Sequence, residues 1–546
     1  MNVDTFCRDH LPPTELWPDL MFGTIPELNY PDRLNCAGEL LDRLVESGEG
    51  ARTAFITDSD RWSYQRLYDA ANRIARVLTE DLGVIPGNRV LLRAPNTPMQ
   101  VACWFGILKA GGVVVCTMPL LRRRELAYIA DKAEIRLALC DERVTADCDS
   151  GMSHHQDGRE RKGARVVRFG REGGELEQMM ATKPATFENV DTAADDTALI
   201  AFTSGTTGQG KGTMHFHRDV LAICDCFPPY VLRPTPDDIF CGTPPLAFTF
   251  GLGMIVLFPM RVGASAVLLE QSGTAALLDA IERHKVTICA TAPTAYRAML
   301  GHLGGRDISS LRRCVSAGET LPLGTFQAWE KATGIRIIDG IGSTEMLHIF
   351  ISAADEQIRP GATGLPVPGY EAKVIGDDGE PVPAGEIGRL AVRGPTGCRY
   401  LDNMERQQAY VQDGWNLTGD SYRMDADGYF WYQARTDDMI VSSGYNISGP
   451  EVEAALLLHP AVQECGVVGV PDEERGQLVT AFVVLKPGHD GSADLVHALQ
   501  KFVKSEIAPY KYPRAVHFLE RLPRTDTGKL QRFRLREQAM RPVVES

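Results

Sequence analysis

The chain has 546 residues, 44% of them hydrophobic and 23% charged, and carries a formal net charge of −14. Its length calls for two or more domains, and its composition excludes a disordered or fibrous chain. The acidic balance argues against nucleic acid or an anionic membrane surface as main partner and leaves small molecules.

Residues 1 to about 50 carry prolines at 12, 13, 18, 26 and 31 and are expected to wrap over the surface until Glu39 starts a helix. The N-terminus lacks an apolar signal-like core, and no run approaches the ~18 apolar residues of a membrane span, so a cytoplasmic location without membrane contact is expected. From Trp62 to Leu78 an amphipathic helix is predicted. Strands at Asn88 to Arg93, Gly112 to Cys116 and Leu137 to Cys140 alternate with helices at Met99 to Ala110 and Arg122 to Ala133. This alternation predicts an α/β fold with parallel-rich sheets flanked by helices. Residues 147–175 are polar and glycine-rich and read as a surface excursion.

Ala198 to Phe202 is a short apolar run, read as a buried strand. Thr203, Ser204, Gly205, Thr206, Thr207, Gly208, Gln209, Gly210 and Lys211 follow, a set of hydroxyls, glycines and one cation suited to gripping phosphate. Gly205 to Lys211 fits the first seven positions of a Walker loop, but Gly212 stands where the magnesium-binding hydroxyl should be. A solvated turn between strand and helix is the bland alternative. Further strands are predicted at Ala266 to Leu269, Thr287 to Ala290, Cys314 to Ser316 and Arg336 to Ile338, and ligands collect at the carboxyl ends of such strands. Residues 361–393 read as a short β-rich subdomain. A small α+β domain follows, with the boundary at Asp437 and domains of 1–436 and 437–546.

Thirteen scattered cysteines, mostly beside apolar residues, suit reduced core thiols. Cys224 and Cys226 lack a second pair at zinc spacing, and His215 and His217 read as packing or polar lining. Asp339, Gly340, Ile341, Gly342, Ser343, Thr344 and Glu345 follow a predicted strand and combine glycines, hydroxyls and a carboxylate, as a magnesium–nucleotide complex needs; a strand-to-helix cap is the alternative. Asp420, in the turn after Thr418 and Gly419, can accept both hydroxyls of a ribose or form an Asx-turn. Lys529 follows a Thr-Gly turn near the end, an exposed cation.

In chain order these segments resemble the adenylate-forming superfamily of acyl-CoA synthetases, luciferases and peptide-synthetase adenylation domains, over roughly residues 50 to 535. The resemblance implies a large N-terminal domain, a mobile C-terminal domain, the cofactors ATP, Mg2+ and coenzyme A, and a two-step reaction through an acyl-adenylate. It assigns Thr203 to Lys211 to the β- and γ-phosphates, Thr344 to the α-phosphate and Glu345 to magnesium. Glu319, Asp339, Gly340, Ile341 and Gly342 join the nucleotide site, with Asp420 and Arg435 on the ribose. Lys529 would bridge carboxylate and α-phosphate, Asp437 would be the hinge, and Ser443, Gly444 and Tyr445 would meet the pantetheine arm. Three positions depart from the family pattern: Gly210 replaces a proline, Ile341 a tyrosine and Phe248 a histidine.

The run Gly340 to Phe350, with Ser316 to Glu319 and Pro509 to Arg514, looks most like benzoate-CoA and 2-aminobenzoate-CoA ligases, and Phe6 to Pro13 tips the reading toward the latter. That likeness places Phe248, Ala292, Tyr296, Ser316, Ala317, Gly318, Ile341 and His348 around an aromatic carboxylate. His348 would meet the carboxylate or an ortho substituent, or be structural. A medium-chain fatty acyl-CoA ligase, a carrier-loading adenylation enzyme, a catalytically silent nucleotide sensor and a Walker-type NTPase are the rival readings. A monomer or homodimer is expected.

Overall fold

The computed structural model describes residues 3–170, 173–203, 210–271, 273–435, 438–442, 445–472, 475–507, 509–525 and 528–540. Ser204 to Gly208, Asp437, Ser443 and Gly444 lie outside the described residues. Two large sheets carry the N-terminal part. The first has six strands in the order Arg165–Phe169, Leu137–Asp141, Arg89–Arg93, Val113–Thr117, Thr197–Thr203, Lys211–Phe216. All neighbours are parallel except the last pair, which is antiparallel and closes at Thr203 opposite Lys211. The glycine-rich segment therefore joins two strands of a hairpin. A Walker loop runs from strand into helix; here the helix His217–Phe227 begins only after the return strand.

The second sheet has nine strands, parallel from Thr53–Ile56 through Ser265–Val267, Ile239–Gly242, Ile288–Thr291 and Arg313–Ser316 to Ile337–Gly342, with antiparallel strands added at both edges. Between the sheets the helix Pro98–Lys109 is buried on almost every side, including Trp104, Phe105 and Ile107. Thr97 caps it by accepting from the Gln100 N–H, and Pro98 takes the first-turn position where its missing N–H is harmless. A third, wholly antiparallel sheet comprises Glu371–Ile375, Ile387–Arg393, Val411–Gln412, Trp415–Met424 and Phe430–Arg435.

The segment 147–175 differs from expectation. It holds most of a helix, Thr145–Ser153, and an edge strand, Arg165–Phe169. Cys148, Met152, Val167 and Phe169 are buried. Gly151 lets this helix sit against its neighbour, because a Cβ there would lie 2.7 Å from Leu126 Cβ. In the strand only Val167 and Phe169 are fully buried; Arg165 is exposed at its start and Arg168 on the opposite face, and these charges disguise it.

The C-terminal part forms its own sheet from Ile440–Ser442, Tyr445–Ile447, Val462–Asp472, Gly476–Leu485 and Ala515–Phe518. Helices Gly449–Leu457 and Ala493–Glu506 pack on it around Val452, Leu456, Val467, Leu499 and Val503. All thirteen cysteines are free thiols, twelve of them buried. Among the described residues no helix is long and apolar enough to cross a membrane.

Candidate active site

The return strand Lys211–Phe216, the turn after Ile337–Gly342, the strand Trp415–Met424 and the turn before Lys529 are linked by side-chain contacts and charge. The turn after Ile337–Gly342 carries Thr344 and Glu345, both half-buried. The hydroxyl of Tyr400 donates to Glu345 Oε1 at 2.6 Å, and His215 Nε2 lies 2.8 Å from the Thr344 carbonyl. Burial pushes the Lys211 ammonium below its ordinary range, as does nearby Arg406, while Glu345 pulls the other way. The root of the glycine hairpin therefore faces the Thr344–Glu345 turn.

Asp420 is buried on the strand Trp415–Met424, where its Oδ1 accepts from Arg435 Nη1 at 3.1 Å. Gly419 has φ +75°, and a Cβ there would lie 2.8 Å from Arg435 Nη2, so the arginine passes over a bare backbone. Burial raises the Asp420 carboxyl above its usual range; Arg435 opposes this, and so does Lys529. Lys529 is exposed, yet close enough for its charge to act at Asp420. Its turn is set by Gly528 at φ +88°, whose carbonyl accepts from Arg524 Nη1 at 2.7 Å. Arg524 also stands 4.0 Å from Glu319 Oε1 of the large domain.

Asp339 pairs in register with Ser316 on the neighbouring strand. The residue as a whole is only partly covered, but its Oδ1 is shielded from solvent and makes no hydrogen bond among the described residues. That burial raises the carboxyl to about 7, with the Gly340 N–H and the Ser316 hydroxyl opposing. Gly340 and Gly342 are required by close approach: Cβ atoms there would lie 2.8 Å from Ile349 Cγ2 and 2.6 Å from the His348 carbonyl oxygen. Ile341 is half-buried against the main core. Gly210 also has a physical reason, since a Cβ would lie 2.7 Å from the Thr203 carbonyl oxygen. Proline at that position would crowd the hairpin neck.

His348 is 2% exposed and sits in a box of aromatic rings, with centroids 4.5 Å from Phe258, 5.5 Å from Phe227 and 5.8 Å from Phe250. Neither ring nitrogen has a hydrogen-bond partner among the described residues. Burial pushes the imidazole down to about 3; the Phe250 backbone opposes this weakly, lying close but outside hydrogen-bond geometry. Leu347, at φ +68°, turns the chain into this position.

Phe248 does not join that box. It lines an apolar cavity with Trp104, Val114, Cys116, Leu199 and Leu252. Ala292 caps the helix Pro293–Leu300, and Ser316, Ala317 and Gly318 close the neighbouring strand end. Tyr296 is fully buried, its hydroxyl donates to the Cys289 and Val315 carbonyls at 3.1 and 3.0 Å, and its ring packs edge-on against Trp329, so it braces two strands. Phe227, Phe250 and Phe258 carry no motif in the sequence; Phe250 and Gly253, three residues apart, both lie beside His348.

For Mg2+ the donor set fits. Glu345 keeps Oε2 free of hydrogen bonds among the described residues while Oε1 is fixed, and Mg2+ takes one or two carboxylates with the remaining ligands from phosphates and water. No group of three metal-binding side chains occurs among the described residues.

This two-part architecture is the adenylate-forming enzyme fold. The AMP-binding enzyme pattern matches residues 43–400 and the AMP-binding enzyme C-terminal domain matches 451–529; the chain belongs to the AMP-binding enzyme family and is an AMP-forming acid–thiol ligase using ATP, Mg2+ and CoA. It is 36% identical over 520 residues to a benzoate–CoA ligase of Thauera aromatica, covering 94% of this chain and 98% of the relative. Among solved structures it is similar to the anthranilate CoA ligase AuaEII in complex with anthranoyl-AMP, at TM-score 0.87 and 36% identity, covering 94% and 99% of the two chains. A benzoate CoA ligase from Burkholderia xenovorans LB400 gives TM-score 0.84 and 32% identity over 92% and 100%.

Proposed function

We propose that the protein is an aryl-CoA ligase that activates an aromatic carboxylate of the benzoate or 2-aminobenzoate type. The observation that carries the acid class is His348, a neutral imidazole without a hydrogen-bond partner among the described residues, inside an aromatic box. The imidazole occupies the box itself; a flat aromatic acid packed against its edge would supply, through a carboxylate or ortho amino group, the missing partner.

In the first half-reaction a carboxylate oxygen attacks the α-phosphorus and the bond to pyrophosphate breaks, leaving an acyl-adenylate. Lys529 and Thr344 bind the oxygens that gather charge in that step, Lys211 and the glycine hairpin hold the outer phosphates, and Glu345 holds Mg2+. When bound, Mg2+ neutralises the polyphosphate. Asp420 and Arg435 hold the ribose; Glu319, Asp339, Gly340, Ile341 and Gly342 surround the base. In the second half-reaction the CoA thiol, after losing its proton, attacks the acyl carbon and the carbon–oxygen bond to AMP breaks. Rotation at Asp437 withdraws Lys529 and brings Ser443, Gly444 and Tyr445 to the thiol. Both steps need the anionic partners held together out of bulk water.

A second reading, an aliphatic acyl-CoA ligase, draws support from the apolar cavity beside Phe248 and Trp104, which would take a chain better than a ring. Parallel incubations with ATP, Mg2+, CoA and either 2-aminobenzoate, benzoate or octanoate decide between them. AMP, pyrophosphate and an aryl thioester are expected. Octanoyl-CoA as the dominant product overturns the aromatic pocket, and ADP with phosphate overturns the mechanism.

A further inference from the structure

The stem of the glycine hairpin and the Thr344–Glu345 turn are joined at two points. His215, on the return strand Lys211–Phe216, holds the Thr344 carbonyl at 2.8 Å. A carbonyl only accepts, so the ring carries its proton on Nε2 and donates it. His215 is fully buried, and burial first, the Arg399 charge second, pushes the ring down to about 3. Its Nδ1 faces the Asp219 carboxylate at 3.9 Å, too far for a hydrogen bond.

The second joint passes through the segment that pairs with the same strand. The Met214 N–H donates to the Arg399 carbonyl and the Leu401 N–H to the Gly212 carbonyl, both at 2.8 Å, and Thr213 bridges Tyr400. Tyr400 is 2% exposed, and its ring packs edge-on against Tyr410 with centroids 5.8 Å apart. From that fixed position its hydroxyl holds Glu345 Oε1 at 2.6 Å. His215 stands on the return strand and Tyr400 on the segment bridged to it, and the two grip consecutive residues of one turn.

We propose that His215 and Tyr400 are positioning residues that lock the Thr344–Glu345 turn to the return strand Lys211–Phe216, so that the metal ligand keeps a fixed place relative to that strand and its Lys211. Held at one oxygen, the Glu345 carboxylate presents the other along a fixed direction; held at its carbonyl, the Thr344 backbone is fixed, and with it the point from which its side chain starts. The proposal rests on the roles given above to Thr344 and Glu345.

The experiment measures ATP binding by calorimetry with and without Mg2+, along with acid-dependent pyrophosphate exchange. Tyr400→Phe keeps the packed ring and removes one hydrogen bond. It is expected to leave metal-free ATP binding unchanged, to shrink the tightening caused by Mg2+ about tenfold, and to raise the half-saturating Mg2+ concentration in exchange by a similar factor. His215→Gln retains an amide donor and is expected to stay within about threefold of the parent exchange rate. His215→Leu is expected to fall about 10–100-fold in kcat with the KM for the acid unchanged.

A Mg2+ effect on ATP binding that Tyr400→Phe leaves intact overturns the proposal, as do equal losses in the two His215 variants. Should His215→Leu not fold, the Mg2+ response of Tyr400→Phe and the exchange rate of His215→Gln still decide the outcome. Glu345→Gln, measured alongside, separates the levels: if it too leaves the Mg2+ effect intact, the metal assignment itself falls and the proposal with it.

Discussion

Arg399 and Asp219 pair through a charged hydrogen bond although both side chains are completely buried and 180 residues separate them in the chain. The Arg399 guanidinium also lies 3.8 Å from the Phe216 ring centroid, and Asp219 accepts from the Phe216 N–H at 2.9 Å. The pair thus fastens the return strand of the hairpin to the segment bearing Tyr400. Arg399→Met leaves an uncompensated buried carboxylate and is expected to cost about 3–5 kcal/mol in urea unfolding. Adding Asp219→Asn is expected to recover a large part of that loss, because no buried charge is then left alone.

Lys529 acts only in the first half-reaction under the proposed mechanism. Lys529→Ala is expected to slow pyrophosphate release about 10²–10³-fold. Conversion of supplied acyl-adenylate and CoA to thioester is expected to change less than about tenfold, since the lysine is withdrawn by then. Rapid-quench assays of each half-reaction check the split.

Asp339 is expected to give the folded protein's stability a pH dependence near neutrality. Its carboxyl is raised to about 7, chiefly by burial, so the folded protein holds a proton that the unfolded chain releases near pH 4. A carboxyl shifted this way costs stability as pH rises from about 4 to about 7, and the cost is complete above 7. Asp339→Asn is therefore expected to raise unfolding stability at pH 8 by about 1–3 kcal/mol. If the ionised form accepts from the base, the KM for ATP rises in the parent as pH falls from 8 to 6, and the variant flattens that profile.

Gly253 provides clearance for His348. An ideal Cβ at this position lies 2.4 Å from His348 Cδ2 and 2.7 Å from Nε2. Glycine to alanine inside a helix ordinarily gains up to ~1 kcal/mol. Here Gly253→Ala is expected to displace the imidazole and raise the KM for the aromatic acid about tenfold or more while the KM for ATP moves less than twofold. Equal changes in both constants would detach His348 from acid binding.

Much of the architecture was legible because buried parallel strands leave short apolar runs between helices of regular length. Val113–Thr117 and Ile288–Thr291 fall within a residue or so of where those runs lie. The edge strand Arg165–Phe169 was hidden, since only Val167 and Phe169 are fully buried and arginines stand at its exposed positions 165 and 168. The nucleotide motifs were readable because glycines and hydroxyls serve a ligand locally. The acid pocket was less so: whether a tyrosine such as Tyr296 lines a pocket or braces two strands depends on which face of the sheet its helix covers, and spacing does not encode that. His215 and Tyr400 carry no motif, and their meaning lies in long-range pairing of the segments around 213 and 400.

The antiparallel hairpin at the phosphate loop has an electrical consequence. A loop that opens into a helix draws on the aligned peptide dipoles behind it, about half a positive charge at the helix terminus. The segment after Gly210 runs into a strand, whose peptide dipoles alternate and nearly cancel. Under the proposed role of this loop, a triphosphate would draw its countercharge from Lys211, neighbouring Arg406 and the bound cation, with no helix terminus behind it. Nucleotide affinity in this protein should accordingly respond more steeply to ionic strength and to loss of that one ammonium than in proteins whose phosphate loops are backed by a helix.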